Sequence, residues 1–263
     1  MSIITAQELS RHYGGRVGID AVNLDIGEGE IFGFLGPNGA GKTTTIRILL
    51  GFLQPTVGRA SICGLDCWRE SPRIKRDVGY LPGDLRLYPW ITGQTALQII
   101  GQVRGIDLRA DGSALANRFQ LEMNLRVRKM SRGTRQKLEV VVALVHKPRV
   151  IILDEPSSGL DPLMQAELTT CLRELASAGH TVFFSSHTLS EVETLCDRVS
   201  VVRQGHIIAD ETLPTLRGRA RRMVELVFPD RESAARVQLP DFLRLTRRDG
   251  RQYYCELEAP HLH

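Results

Sequence analysis

The sequence predicts an α/β protein built on a parallel sheet, and three observations lead there. Short aliphatic runs alternate with helical patterns, the signature of strand–helix–strand units. Val150-Ile151-Ile152-Leu153 and Thr181-Val182-Phe183-Phe184 are apolar throughout, as strands buried on both faces of a parallel sheet are. A glycine-rich loop stands between the apolar run Ile31-Phe32-Gly33-Phe34-Leu35 and a helical pattern that opens at Lys42.

Residues 1 to 35 read as strands. Val22, Leu24 and Ile26 alternate with polar residues, the pattern of a half-buried strand, and Gly27-Glu28-Gly29 supplies a turn. The helix from Lys42 carries Ile46, Leu49 and Leu50. Residues 84 to 146 read as a helical insertion. There Ala96, Ile99, Ile100 and Val103 follow the i, i+3, i+4, i+7 spacing of a buried stripe, as do Leu138, Val141, Val142 and Val145. His146-Lys147-Pro148 ends the insertion, because the residue before proline avoids the helical region.

Asp161-Pro162 is an N-cap followed by proline at the first helical position. The helix stripe Met164, Leu168, Leu172, Leu175 follows, and Gly179 closes it. Thr188 with Glu191 reads as a capping box for the next helix. After residue 212 the character changes. Val224, Leu226 and Phe228 alternate, and Asp249-Gly250 is a hairpin signal between Leu243/Leu245 and Tyr254/Leu257. The expected organisation is one domain over 1–212, with its helical insertion at about 84–146, and a small β-rich appendage over 213–263.

Bulk properties exclude several classes. The formal net charge is +4 and the sequence pI about 8.9, a mild excess that tolerates an anionic surface without requiring nucleic acid. Arg217, Arg219, Arg221 and Arg222 cluster. A solvated linker is the plain reading and lipid head groups are an alternative. Nucleic acid is the least supported, since no aromatic residues interleave with the arginines. The five cysteines, Cys63, Cys67, Cys171, Cys196 and Cys255, are irregularly spaced and complete no zinc set, so reduced thiols are expected. The first residues carry no basic leader. The longest aliphatic block, Val140 to Val145, is far below the roughly 20 residues a bilayer needs.

Three segments carry chemistry. Gly36-Pro37-Asn38-Gly39-Ala40-Gly41-Lys42-Thr43 fits G-x-x-x-x-G-K-[ST] between a strand and a helix. Glycines let successive N–H groups face phosphates, and the helix N-terminus adds a positive dipole end. Lys42 can neutralise β/γ-phosphate charge, and the hydroxyl of Thr43, followed by Thr44, can ligate Mg²⁺. Asp154 and Glu155 in Leu153-Asp154-Glu155-Pro156 end a buried strand, where ligands bind in open α/β sheets. Asp154 suits Mg²⁺ through water, and Glu155 can polarise a water towards the γ-phosphate. Met130-Ser131-Arg132-Gly133-Thr134 opens a capped helix. Its N-terminus, with Ser131 and the Gly133 N–H, can take a phosphate.

A P-loop, then S-x-G-x-x-Q, then an aliphatic strand ending Asp-Glu-Pro, then Ser158-Gly159-Leu160-Asp161-Pro162 resembles, in that order, the ABC ATPase family. His187 in Ser185-Ser186-His187 resembles the family's switch histidine. Tyr13 in Arg11-His12-Tyr13-Gly14 resembles the aromatic that stacks on adenine. The resemblance covers about residues 3 to 212. It implies a P-loop NTPase (RecA-like) core with an N-terminal antiparallel β portion, the helical insertion and the β-rich appendage.

It further implies ATP and Mg²⁺ as ligands and a second nucleotide-binding subunit, with ATP sandwiched between the P-loop of one copy and the Ser131 segment of the other. Glu155 is then the base or water-polariser, His187 the γ-phosphate contact and Asp161 the link between the two sites. An integral membrane permease on a separate chain is the implied partner, with this subunit peripheral on the cytoplasmic face and no nucleic acid expected. A homodimer and a heterodimer, and import and export, stay open. A ribosome- or DNA-acting ABC ATPase is the rival reading.

Two departures matter. Where the family places a glutamine after Gly79-Tyr80-Leu81-Pro82, this chain has Gly83 and then Asp84. Asp84 is a candidate Mg²⁺ ligand in its place, as a charge rather than an amide. Arg132 stands where glycine is commonest. A basic residue there is similar to the drug- and polysaccharide-export branch, as is a short C-terminal appendage.

Overall fold

The computed structural model describes residues 1–83, 87–219 and 222–257. Asp84 lies outside the described residues, as do the side chains of the Arg217–Arg222 cluster. The chain divides into two compact units, Met1–Glu211 and Thr212–His263.

The first unit opens with β1 (Ser2–Tyr13) and β2 (Arg16–Gly27), an antiparallel hairpin closed by Gly14-Gly15. The alternation read in β2 is real: Val22, Leu24 and Ile26 are buried. Then come β3 (Ile31–Leu35), α1 (Lys42–Leu49), β4 (Val57–Ile62), β5 (Leu65–Asp66), α2 (Ser71–Asp77) and β6 (Val78–Leu81). The hairpin joins β4 and β5 in a four-stranded sheet ordered β2-β1-β4-β5.

The helical insertion contains α3 (Gly93–Arg104), α4 (Arg109–Arg118), a 3-10 turn at Val127–Lys129 and α5 (Arg132–Leu144). The chain returns through β7 (Val150–Asp154), α6 (Pro162–Ser177), β8 (Thr181–Ser186), α7 (Leu189–Leu195), β9 (Arg198–Arg203) and β10 (His206–Thr212). The main sheet has six strands in the order β10-β9-β3-β8-β7-β6. The pairs from β9 through to β6 are parallel. Every residue of β7 and β8 is buried. Phe183 packs between Phe32 and Phe34, at ring-centroid distances of 5.7 and 5.4 Å.

The stripe read in α3 is displaced. Ala96 is buried, but Ile99 is 48% and Val103 83% exposed, while Gly93, Leu97 and Gly101 face inward. Small residues decide the packing face. A Cβ at Gly93 would lie 2.7 Å from the Met123 sulfur, and one at Gly101 would lie 2.7 Å from the Ile106 carbonyl oxygen. Only hydrogen permits these approaches.

α5 keeps its predicted stripe in part: Leu138 and Val141 are buried, as is Val145 just past its end, while Val142 is half-buried. It also buries Glu139, Val140 and Leu144, because it packs on β6 as well as on α3 and α4. Glu139 is only 6% exposed. Burial pushes its carboxyl up to about 7, partly opposed by Arg135. The folded chain therefore holds a proton there that the unfolded chain releases near 4.5, and stability is lost as pH rises between those values. Glu139→Gln is expected to stabilise the protein by about 2–3 kcal/mol at pH 8 and by nothing at pH 4. Urea unfolding at the two pH values measures the difference.

Asp161 caps α6 as predicted, accepting from the Met164 N–H at 3.0 Å. The capping box at α7 does not form. Thr188 makes no side-chain cap, its N–H donates to Ser186 Oγ at 2.9 Å, and the Glu191 carboxylate is taken by two serine hydroxyls instead.

The second unit holds α8 (Leu213–Arg219), β11 (Arg222–Val227), α9 (Arg231–Arg236), β12 (Leu243–Asp249) and β13 (Gln252–Leu257). Its antiparallel sheet runs β11-β13-β12. The Asp249-Gly250 signal marks the β12–β13 turn, with Gly250 at φ 59°. Ala234, Tyr253 and Cys255 form the core of this unit. α9 has no counterpart in the sequence reading; Asp230 caps it through the Ser233 N–H at 2.7 Å. The cysteines are free thiols. Burial pushes Cys67 up to about 12 and Cys171 up to about 11, which suppresses the reactive thiolate. No helix among the described residues is long and apolar enough to cross a membrane.

Candidate active site

Three adjacent strands of the six-stranded sheet deliver the site: β3 leads into the glycine loop, β7 ends on Asp154 with Glu155 next, and β8 ends beside His187. They are parallel, so their C-terminal ends share one edge of the sheet.

The loop is fixed by close backbone approach. A Cβ at Gly36 would lie 2.3 Å from the Val202 carbonyl oxygen, and one at Gly41 2.6 Å from Ile19. Gly41 caps α1 at φ 113°, a conformation that L side chains rarely adopt. The Gly36 N–H donates to the Ser186 carbonyl at 3.1 Å, and that of Ala40 to the Pro37 carbonyl at 3.1 Å. Lys42, 4% exposed, donates through Nζ to the carbonyls of Gly36 at 2.7 Å and Pro37 at 3.2 Å. The same Nζ lies 3.2 Å from Glu155 Oε1. The ammonium is thus held at the N-terminal end of α1, where orphan N–H groups and the helix dipole favour an anion.

Asp154, 4% exposed, accepts from Thr43 Oγ1 at 2.9 Å and from Ser185 Oγ at 2.6 Å. A carboxylate meeting a hydroxyl is the all-oxygen donor chemistry that suits Mg²⁺. Glu155 stands at φ 52°, left-handed backbone that is uncommon outside glycine and worth about 1–3 kcal/mol of strain. Its N–H is anchored on the Ser185 carbonyl and hydroxyl, both at 3.2 Å. Its carboxylate lies between Lys42 and His187, whose Nδ1 is 3.3 Å from Oε2.

A cavity of about 300 Å³ opens over this cluster. Of the predicted residues, Tyr13, Asn38, Gly39, Gly41, Lys42, Thr43, Thr44 and Glu155 line it. Tyr13 is 46% exposed, with the Arg11 guanidinium 5.0 Å from its ring centroid. Gly83 adjoins the cluster: a Cβ there would lie 3.3 Å from the Asp154 carbonyl oxygen and 3.8 Å from its carboxylate.

Ser131, Gly133 and Asp161 do not line this cavity. Ser131 caps α5, accepting from the Thr134 N–H at 3.1 Å. Arg132 donates to Ser158 Oγ at 2.8 Å, and Gln136 to the Pro156 carbonyl at 3.0 Å. A Cβ at Gly133 would lie 2.9 Å from the Gly159 carbonyl oxygen. The start of α5 is therefore fastened to the loop that follows Glu155. Sequence reasoning missed Ser185, which bonds the Asp154 carboxylate and the Glu155 N–H, although it stands in the quoted Ser185-Ser186-His187. It also missed Arg16, Val17 and Gly18, which complete the cavity wall and carry no motif of their own.

The ABC transporter family model matches residues 19–158. The bacitracin transport ATP-binding protein BcrA of Bacillus licheniformis is 36% identical over 236 residues, 89% of this chain and 77% of that protein. The daunorubicin resistance ATP-binding protein DrrA3 of Streptomyces coeruleorubidus is 36% identical over 219 residues, 81% of this chain and 69% of that protein. An ATP-binding subunit of an ABC transporter superposes with a TM-score of 0.76 at 28% identity, covering 82% of this chain and 92% of its own. The dimeric bacterial ABC transporter cassette MJ0796 gives 0.72 at 25% identity, covering 80% and 98%.

Proposed function

The chain belongs to the ABC transporter family as an ATP-binding, ATP-hydrolysing subunit, and from that premise we propose that two such subunits close head to tail around ATP to drive export through a separate membrane permease. The observation that carries the reading is the position of Glu155, between a phosphate-loop lysine at 3.2 Å and a histidine at 3.3 Å.

In this reading Lys42 and the N–H groups of Asn38, Gly39 and Gly41 to Thr44 hold the β- and γ-phosphates, Gly36, Pro37 and Ala40 shape the loop that presents them, and Tyr13 stacks on the adenine. Thr43 and Asp154 hold Mg²⁺, which would neutralise charge on the phosphate oxygens. Glu155 orients and polarises the attacking water, and His187 contacts the γ-phosphate. Ser131 and Gly133 of the opposing subunit grip the same nucleotide, and Asp161 couples the two sites. A γ-phosphate that bridges two subunits favours the closed dimer, and its loss on hydrolysis removes that preference. Gly83 contributes no side chain, so positioning of the water rests on Glu155 and His187.

Export is supported by the transport and resistance functions in the names of the two relatives. The cargo is then drug-, lipid- or polysaccharide-like, and the subunit sits peripherally at the cytoplasmic face. We assign the nucleotide-binding domain to 1–212, with its insertion at about 84–146 offering the face for the permease, and the appendage to 213–263. The test is recovery of tagged Glu155→Gln protein, with ATP, from detergent-solubilised membranes of its own host. A co-purifying chain with about six apolar spans of roughly 20 residues each is the expected result. Ribosomes or other soluble complexes alone would leave the ATPase intact and end the transport reading.

A further inference from the structure

Outside the nucleotide cavity, one carboxylate is bonded to both loops that carry the reacting groups. Glu191, in the first turn of α7, accepts from Ser157 Oγ at 2.6 Å through Oε1 and from Ser186 Oγ at 2.5 Å through Oε2. Ser157 follows Glu155 by two positions in the loop that leads to Asp161, and Ser186 immediately precedes His187. Both serines are buried, at 8% and 1% exposure.

A carboxylate only accepts, so both hydroxyls must donate to it. Hydroxyl–carboxylate bonds of this length belong to the strong, charge-assisted class. Ser186 Oγ also accepts the Thr188 N–H at 2.9 Å, which closes the turn around His187. On the other arm the Ser157 carbonyl accepts the Leu160 N–H at 3.1 Å, so Ser157 belongs to the turn that ends at Asp161. The two strand ends are joined by the Glu155 N–H to the Ser185 carbonyl at 3.2 Å; beyond that point, among the described residues, what ties Ser157 to Ser186 is Glu191. A helix cap would have spent Glu191 on the Thr188 N–H, and it does not.

We propose that Glu191 is a positioning residue for ATP hydrolysis, holding the loop from Glu155 to Asp161 in register with His187. The proposal rests on the roles given above to Glu155 and His187. Glu191 touches no nucleotide in this arrangement, and its effect passes through the two serines. Misplacement of reacting groups by about 1 Å costs roughly 100-fold in rate.

The test compares kcat, KM and nucleotide Kd of the full-length chain for Glu191→Ala, Glu191→Gln, Ser157→Ala with Ser186→Ala, the three combined, and His187→Ala. Glu191→Ala is expected to lower kcat by about 10- to 100-fold, with KM and Kd within about twofold, the split that marks loss of transition-state positioning. The serine pair, which leaves α7 unaltered, gives the same loss, and adding it to Glu191→Ala costs nothing more. Glu191→Gln, which keeps the side-chain volume and one acceptor, falls between. The proposal is overturned if Glu191→Ala turns over at the wild-type rate while His187→Ala does not. It is also overturned if kcat falls and Kd rises together, as in a general loss of structure, or if the Glu191 and serine effects multiply. Normal turnover by His187→Ala removes the parent reading, and this proposal with it.

Discussion

Glu155→Gln is expected to lower kcat by about 10²- to 10⁴-fold, the usual contribution of a general base, and to accumulate as an ATP-bound dimer. The exchange preserves shape. The amide fits where the carboxylate stands, the backbone anchor on Ser185 is untouched, and the left-handed conformation at position 155 suits glutamine no worse than glutamate. What is lost is the negative charge between Lys42 and His187. Without it a water near the γ-phosphate is not polarised, while repulsion between this position and the phosphate disappears. Binding survives and chemistry stops. Phosphate release measures the first effect, and light scattering with ATP, with and without EDTA, measures the second. A variant that stays monomeric in saturating ATP would contradict the sandwich arrangement.

Lys42→Met acts on the opposite term. Methionine keeps most of the buried stem, so the fold is expected to hold. The ammonium now bonded to the Gly36 and Pro37 carbonyls is the fixed cation of the loop. A hydrogen bond to a charged group contributes about 1.5–3 kcal/mol, which puts the loss of nucleotide affinity at about 10- to 150-fold for one such contact. Turnover falls further, because charge on the β/γ oxygens grows in the transition state. Fluorescent-nucleotide titration and turnover read the two effects separately. An affinity within about threefold of wild type would remove Lys42 from the phosphate site.

The parts of the site that were legible in the sequence are contiguous. Gly36 to Thr44 is a loop whose spacing is set by one local structure, and Asp154-Glu155 and Ser185-Ser186-His187 each end a strand whose uninterrupted burial is visible in its composition. The parts that were not legible depend on neighbours far away in the chain. The face of α3 that packs is chosen by Gly93 and Gly101 and by what they touch, a property that hydrophobic period does not encode. Glu191 fits a capping pattern locally, yet Ser157 from a distant loop claims it, together with Ser186 from the turn just before the helix. Arg16, Val17 and Gly18 enter the cavity wall because the β1–β2 hairpin reaches over the glycine loop.

The placement of β3 between β8 and β9 also governs how the chain emerges from the ribosome. The Gly29 N–H waits for Thr181, 152 positions later, and that of Ile31 for Asp197, 166 positions later. At roughly 5–20 residues per second of synthesis, the glycine loop exists for about 8–30 s before the strands that shape it are made. Through that interval its apolar strand Ile31–Leu35 lacks both neighbours, an unpaired segment of the kind that associates wrongly. Acquisition of ATP binding should therefore come late and abruptly during translation, after β9 (Arg198–Arg203) has cleared the exit tunnel, rather than when the motif itself appears.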